Sequence, residues 1–299
     1  MKELMDTSVW EKAWKEDPFT AVNRMRKAGI DPVHAFDKKA ESFNKEVFSE
    51  EGRRRARRII SWLEDQGVVL NGAAILDIGA ASGGFTVPFA REGAHVTALE
   101  PSQPLVRLMK ENVAELAPAG TVDIAAEPFE NIDLAAKGWE KAFDLVFVSM
   151  CPVLTDWEAV ERVLRCARQF CYMSTMVGSP EHSLLDELWP LVTDRPGKPG
   201  NMEMAYLTQL LLLKGYAFQS LVTREIKTTV LTHSAAFDEA ISMLKVSGID
   251  ADERVRSIVD EHLTRKYPDG EVTIRQGGRF GKVLVRLESQ HMYSRGEEQ

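Results

Sequence analysis

Cysteine is scarce: Cys151, Cys166 and Cys171 are the only three, an odd number without CxxC spacing. A disulfide framework is excluded, and buried thiols in a reducing, cytoplasmic setting are expected. The six histidines, at 34, 95, 182, 233, 262 and 291, show no metal-ligand spacing, so no structural zinc is expected. Long apolar runs are missing as well. Leu210-Leu211-Leu212-Leu213 ends at Lys214, far short of a membrane span, and Met1 to Thr7 has no apolar stretch of the kind a secretory leader carries. Positive charge is in deficit, with 37 basic against 45 acidic side chains. A net charge of −8 disfavours nucleic acid as a partner. The local exception is Arg53, Arg54, Arg55, Arg57 and Arg58, read first as a solvated helix face. Because this cluster precedes the first strand, its start is expected to lie away from a ligand-binding edge.

What remains is a globular profile, 44% hydrophobic and 27% charged over 299 residues, enough for one large core with attachments. Residues 1–56 read as a helical N-terminal arm, in which Trp10 and Trp14, four apart, share a face and pack the arm down. Ser49 caps a helix whose Ala56, Ile59, Ile60 and Leu63 recur at helical spacing. From there strands and helices alternate: 74–78, 95–99, 122–126, 144–148, 170–176, 216–223 and 282–287 read as strands. Thr155 and Glu158 form a capping box before the helix that enters the fifth. The pattern predicts an α/β fold with a doubly wound, mostly parallel seven-stranded sheet. The core spans 57–288, helical insertions fall at about 177–200 and 228–270, and 289–299 reads as a flexible tail.

The most informative stretch is Ile75-Leu-Asp-Ile-Gly-Ala-Ala-Ser-Gly-Gly-Phe-Thr86, a strand entering a glycine loop and then a helix. Open sheets bind ligands at this carboxyl edge. A dinucleotide loop needs a bare backbone at its central glycine to admit pyrophosphate, and here that position is Ala81. A cofactor without phosphate tolerates the methyl. Glu100, ending the second strand, can accept hydrogen bonds from both ribose hydroxyls, and Glu127 with Phe129 after the third suits an adenine.

These motifs together resemble the class I, seven-stranded, Rossmann-like S-adenosylmethionine-dependent methyltransferases. ILDIGAASGGF is similar to their first motif, LEPS to their acidic second-strand end and FDLVFVSMCP to their fourth-strand motif, while Ala35 to Phe43 resembles the cover many of them place before the core. The resemblance spans roughly 34–288 and implies S-adenosyl-L-methionine as cofactor and S-adenosylhomocysteine as product. It further implies that Asp77, Gly79 and Gly83 shape the loop around the methionine end, with Ala80 and Ser82 lining it. Glu100 and Pro101 would hold the ribose, Glu127, Pro128 and Phe129 the adenine, Ser149 and Met150 the methyl side, and Phe43 would close the cover. The departure from the family pattern is Ala81.

No convincing general base stands out. His34 in the cover, His182 beyond the fifth strand and Cys151 after the fourth are the catalytic candidates, each with a plain packing or surface role as alternative. The Asn-Pro-Pro-aromatic signature of many amino-group methyltransferases is absent, which weighs mildly against exocyclic amines and planar amides. The leading expectation is transfer to a small-molecule acceptor, with the insertions building its pocket. RNA or protein methylation, prompted by the arginine cluster, stands second. A nicotinamide-dependent oxidoreductase and a non-catalytic cofactor-binding protein are the alternatives from other classes. No membrane contact is expected, and a homodimer is compatible with the sequence.

Overall fold

A computed structural model of the chain describes residues 5–116 and 121–288; the expected tail, 289–299, lies outside them. Asp6 starts α1 (Thr7–Glu16) by accepting from Ser8 N at 3.0 Å. The helix seats Trp14, only 1% exposed, flat on Tyr206 at 5.9 Å, with Trp10 meeting the same ring edge-on. After α2 (Ala21–Lys27) the arm crosses to α3 (Ala40–Val47). Ser49 caps α4 (Glu50–Asp65) through Gly52 N at 3.1 Å, and Ala56, Ile59, Ile60 and Leu63 face inward as the spacing predicts. Gly52 is required sterically, since a Cβ there would stand 2.1 Å from Val47 O.

The core follows as β1 (Ala74–Ile78), α5 (Thr86–Arg91), β2 (His95–Leu99), α6 (Gln103–Leu116), β3 (Val122–Ala125), β4 (Phe143–Ser149) and α7 (Trp157–Cys166). Then come β5 (Ala167–His182), α8 (Ser183–Val192), α9 (Glu203–Leu213), β6 (Ala217–Thr232), α10 (His233–Val246), α11 (Glu253–Lys266) and β7 (Glu271–Arg286). The sheet order is β3-β2-β1-β4-β5-β7-β6, parallel except for β7, which is antiparallel to both neighbours. This is the Rossmann-like methyltransferase arrangement expected from the sequence. Apolar side chains alternate between the two faces. Leu76, Val146, Met173 and Val283 pack under α7 and α9, and Ile75, Phe147, Tyr172 and Leu284 pack under α4 and α5.

Several expectations need correcting. α7 is capped by Asp156, which accepts from Ala159 N at 2.9 Å, instead of by Thr155; both residues can cap, and the chain uses the later one. β5, β6 and β7 run to 16 residues each, well past the predicted strands. Their extensions carry α8, α10 and α11 on a separate apolar cluster built around Leu184, Leu188, Leu244, Val259 and Ile274. The two predicted insertions are therefore one subdomain. Gly277, which reads as punctuation, sits inside β7, where a Cβ would meet Glu225 O at 1.9 Å.

Finally, α4 begins at the carboxyl edge of the sheet, not away from it. Val47, just before α4, touches the loop at Gly84, and Arg58 reaches toward Glu225 at 3.9 Å. At the far end of α4 the Arg286 guanidinium donates to Gln66 O. A helix leading into a strand from the same layer runs antiparallel to it, so its N-terminus lies over the strand's end.

Candidate active site

The loop between β1 and α5 is built on backbone that few side chains tolerate. Gly79 and Gly83 have φ of +74° and +92°. Ala81 adopts +51°, a left-handed conformation that costs a non-glycine residue roughly 1 kcal/mol. Gly79 N and Ala80 N both donate to Leu99 O, at 2.8 and 3.0 Å, tying the loop to the end of β2. The Ala81 methyl is not idle, because it packs with Phe43, Leu105 and Leu108 beneath α3.

Two buried carboxylates face this loop. Asp77 accepts from the Thr86 hydroxyl at 2.6 Å, and burial pushes its carboxyl up to about 7, with the Thr86 bond opposing and Glu100 assisting. Glu100 accepts from Ser102 N and Ala81 N, both at 2.9 Å, and burial raises it too. Carboxyls so placed favour a cationic ligand, whose charge would recover the ionised form, over a phosphate. A sulfonium cofactor with an ammonium fits this donor set, and the buried Ser82 hydroxyl, without a partner among the described residues, adds a free polar group.

The arm reaches the same edge. Asp37 Oδ1 accepts from the Ser102 hydroxyl at 2.6 Å, and that bond holds its carboxyl below the usual range. His34 Nδ1 lies 2.9 Å from Asp37 Oδ2, and its side chain is 60% exposed. His34 therefore joins the second-strand end through Asp37 and Ser102. Asn112 donates to Ser82 O at 2.8 Å and to Asn44 Oδ1 at 2.9 Å, fastening α3 over the loop. Pro101 is half-buried beside this junction.

The remaining predicted residues separate. Glu127 is partly exposed and pairs with Lys137 at 3.3 Å, and Pro128 is half-buried beside it. The Phe129 ring is only 3% exposed, in one cluster with Ile132 and Leu134 and with the Arg162 guanidinium 5.2 Å above it, so it presents no free face to an adenine. Cys151 stands against the loop, where a Cβ on Gly79 would come within 2.4 Å of Sγ. Burial pushes its thiol up to about 12, so it is neutral near pH 7 and no thiolate nucleophile. His182 is buried as the cap of α8, its Nδ1 accepting from Leu185 N at 3.2 Å and its Nε2 3.3 Å from Glu239. It lies beyond Ser174 by about 25 Å of strand, outside the cleft.

At the methyl side, Met150 holds φ +55° and donates its N–H to Ser174 O at 3.0 Å. The hydroxyls of Ser149 and Ser174 are 3.3 Å apart. Sequence reasoning missed Asp37, Ser174, Tyr172 and Lys282 in this neighbourhood. Asp37 was legible inside the cover motif. The other three sit in strands that read only as apolar runs.

Residues 75–171 match the family described as a methyltransferase domain. No curated protein matches the chain. Among solved structures, the YcgJ protein of Bacillus subtilis is 14% identical with a TM-score of 0.48, covering 78% of this chain and 100% of its own. The magnesium protoporphyrin IX methyltransferase of Synechocystis PCC 6803 with bound S-adenosylmethionine is 15% identical with a TM-score of 0.41, covering 75% of this chain and 90% of its own. The matched segment runs from β1 into β5, and likenesses as distant as these carry no argument about activity. Over residues 75–171 the chain carries a methyltransferase domain, set in the seven-stranded sheet described above. The matched methyltransferase domain marks the chain as an enzyme, and among the described residues no helix is long and apolar enough to cross a membrane.

Proposed function

We propose that the enzyme transfers the methyl group to a small-molecule acceptor that sits between the end of β4 and the extended β5–β7 pair, with the cofactor held by Asp77, the Gly79–Gly83 loop and Glu100. The observation that carries the acceptor size is the roof over this edge. Val47 seals against Gly84, Asp37 bonds Ser102, and Lys227 of β6 pairs with Glu46 of α3 at 2.8 Å, so the arm bridges both sides of the cleft. A covered cleft suits a small acceptor better than a folded macromolecule.

When bound, S-adenosylmethionine supplies an electrophilic methyl on a sulfonium, displaced directly by the acceptor. The chain's part is then to align, cover and exclude water. Asp77 and Glu100 would offer negative charge to the cofactor, Glu100 would face its ribose, and the strained backbone at Met150 would fix the wall beside the reacting centre. Neither Cys151 as a neutral thiol nor His182 in the subdomain is placed for proton transfer, and His34 would act on the cover.

RNA or protein methylation is the second reading, favoured by α4 starting at the cleft edge with its arginines exposed. Against it, Arg54 pairs with Glu50 and Arg58 with Glu51 on the same helix. Incubation of the protein with cell extract and methyl-labelled S-adenosylmethionine separates the two. Label in the small-molecule fraction is expected. Label confined to RNA or protein, abolished by Arg57→Glu with cofactor affinity intact, would overturn the small-molecule reading.

A further inference from the structure

Beside the methyl end, on the face covered by α4, the strands carry polar groups where core packing would place apolar ones. Ser149, Ser174 and Lys282 stand abreast on β4, β5 and β7, paired in register. With strands about 4.8 Å apart, the Lys282 backbone is about 10 Å from that of Ser149, within reach of its four-carbon side chain. Lys282 is only 7% exposed. Its Nζ donates to Thr223 Oγ1 at 2.6 Å, and Thr223 in turn donates to Glu225 Oε1 at 3.3 Å. No carboxylate of the described residues comes within ion-pair distance of Nζ; Glu225, the nearest, is shared with Arg58 at 3.9 Å. One strand away, the Tyr172 hydroxyl is fully buried and has no hydrogen-bond partner among the described residues.

A buried ammonium with N–H groups to spare, beside a buried phenol whose nearest polar neighbours are the Ser149 and Ser174 hydroxyls without a well-formed hydrogen bond to either, is an expensive arrangement for a core. An unmade bond to such a group is costly, and more so for the charge. The same face carries fully buried apolar residues two positions away, at Leu284 on β7 and Phe147 on β4, so the fold does not demand polarity here.

We propose that this cluster is the acceptor-binding wall, that Lys282 takes a carboxylate of the methyl acceptor, and that Tyr172 with Ser149 and Ser174 positions its polar remainder against the methyl. This rests on the methyltransferase reading above and adds the acceptor's chemical class, a small carboxylic acid. A single buried ammonium, with Glu225 close by, matches a monoanion; a phosphate dianion would call for a second free cation, and Arg58 is already engaged by Glu51 and Glu225.

The test uses the full-length protein saturated with S-adenosylhomocysteine and reads thermal shift with small hydroxy- and amino-carboxylic acids and their matching primary amides. Acids are expected to raise Tm and amides are not. Lys282→Met is expected to weaken acid binding about tenfold or more, and to leave the shift given by S-adenosylhomocysteine unchanged. Removing an unpaired buried charge does not threaten folding, and Lys282→Arg should restore part of the acid response. Equal shifts from acids and amides, no shift from any acid, or an unchanged acid response in Lys282→Met would overturn the proposal while leaving the cofactor reading standing. Absence of any shift with S-adenosylhomocysteine in the parent protein would instead overturn both.

Discussion

Asp77 carries the clearest pH signature in the molecule. Its carboxyl titrates at about 7 in the folded chain against an ordinary 3.8. Folding therefore retains a proton that the unfolded chain has released, so stability falls as pH rises between those values and the full loss is present above about 7. The shift of about three units corresponds to as much as ~4 kcal/mol. Asp77→Asn should be more stable than the parent at pH 8, and the gap should shrink toward pH 4; denaturant titrations at both pH values read it. The same variant should bind S-adenosylmethionine more weakly, and the parent's affinity should rise as pH climbs through 7 and the carboxylate forms. At Gly79 a second prediction is steric: Gly79→Ala brings a methyl to 2.4 Å from Cys151 Sγ at a φ of +74°, and should abolish cofactor binding in a calorimetric titration.

Between elements, the seam that decides cofactor closure is where α3 meets the glycine loop. Gly84→Ala would put a methyl 2.4 Å from Val47 Cγ1, so α3 should lift, and hydrogen exchange over 40–47 should quicken. Adding Val47→Ala should restore most of the protection, a coupling expected only of residues in contact. Much at this scale was legible in the sequence. Ala74–Ile78, His95–Leu99 and Phe143–Ser149 are apolar runs ending in loop residues, and the structure keeps them within a residue or so. The outer halves of β5, β6 and β7 were not legible. Only one of their faces is buried, and glycines 277 and 278 imitate a turn while serving close strand contact. In the site, the loop glycines and Glu100 declare themselves by position. Phe129 misleads because an aromatic after β3 serves packing as well as adenine. Lys282 hides because a single lysine at a strand start reads as a solvent-facing end until the long β7 buries it.

At the scale of the whole molecule, two apolar bodies share one sheet: the core under α4, α7 and α9, and the subdomain under α8, α10 and α11. The residues proposed to hold the cofactor all lie on the first. Leu188→Ala in the second should lower subdomain stability by about 2–5 kcal/mol, seen as faster exchange over 183–274, with affinity for S-adenosylhomocysteine unchanged. On the proposed reading the ends of β1 and β2 hold the cofactor, the ends of β4, β5 and β7 face the acceptor, and the arm covers both. The most direct measurement is a calorimetric titration of S-adenosylhomocysteine and of NAD into the parent protein and into Glu100→Ala. Saturable binding of S-adenosylhomocysteine to the parent, its loss in Glu100→Ala and no heat from NAD are predicted. Binding of NAD without S-adenosylhomocysteine, or undiminished binding in Glu100→Ala, would contradict the account.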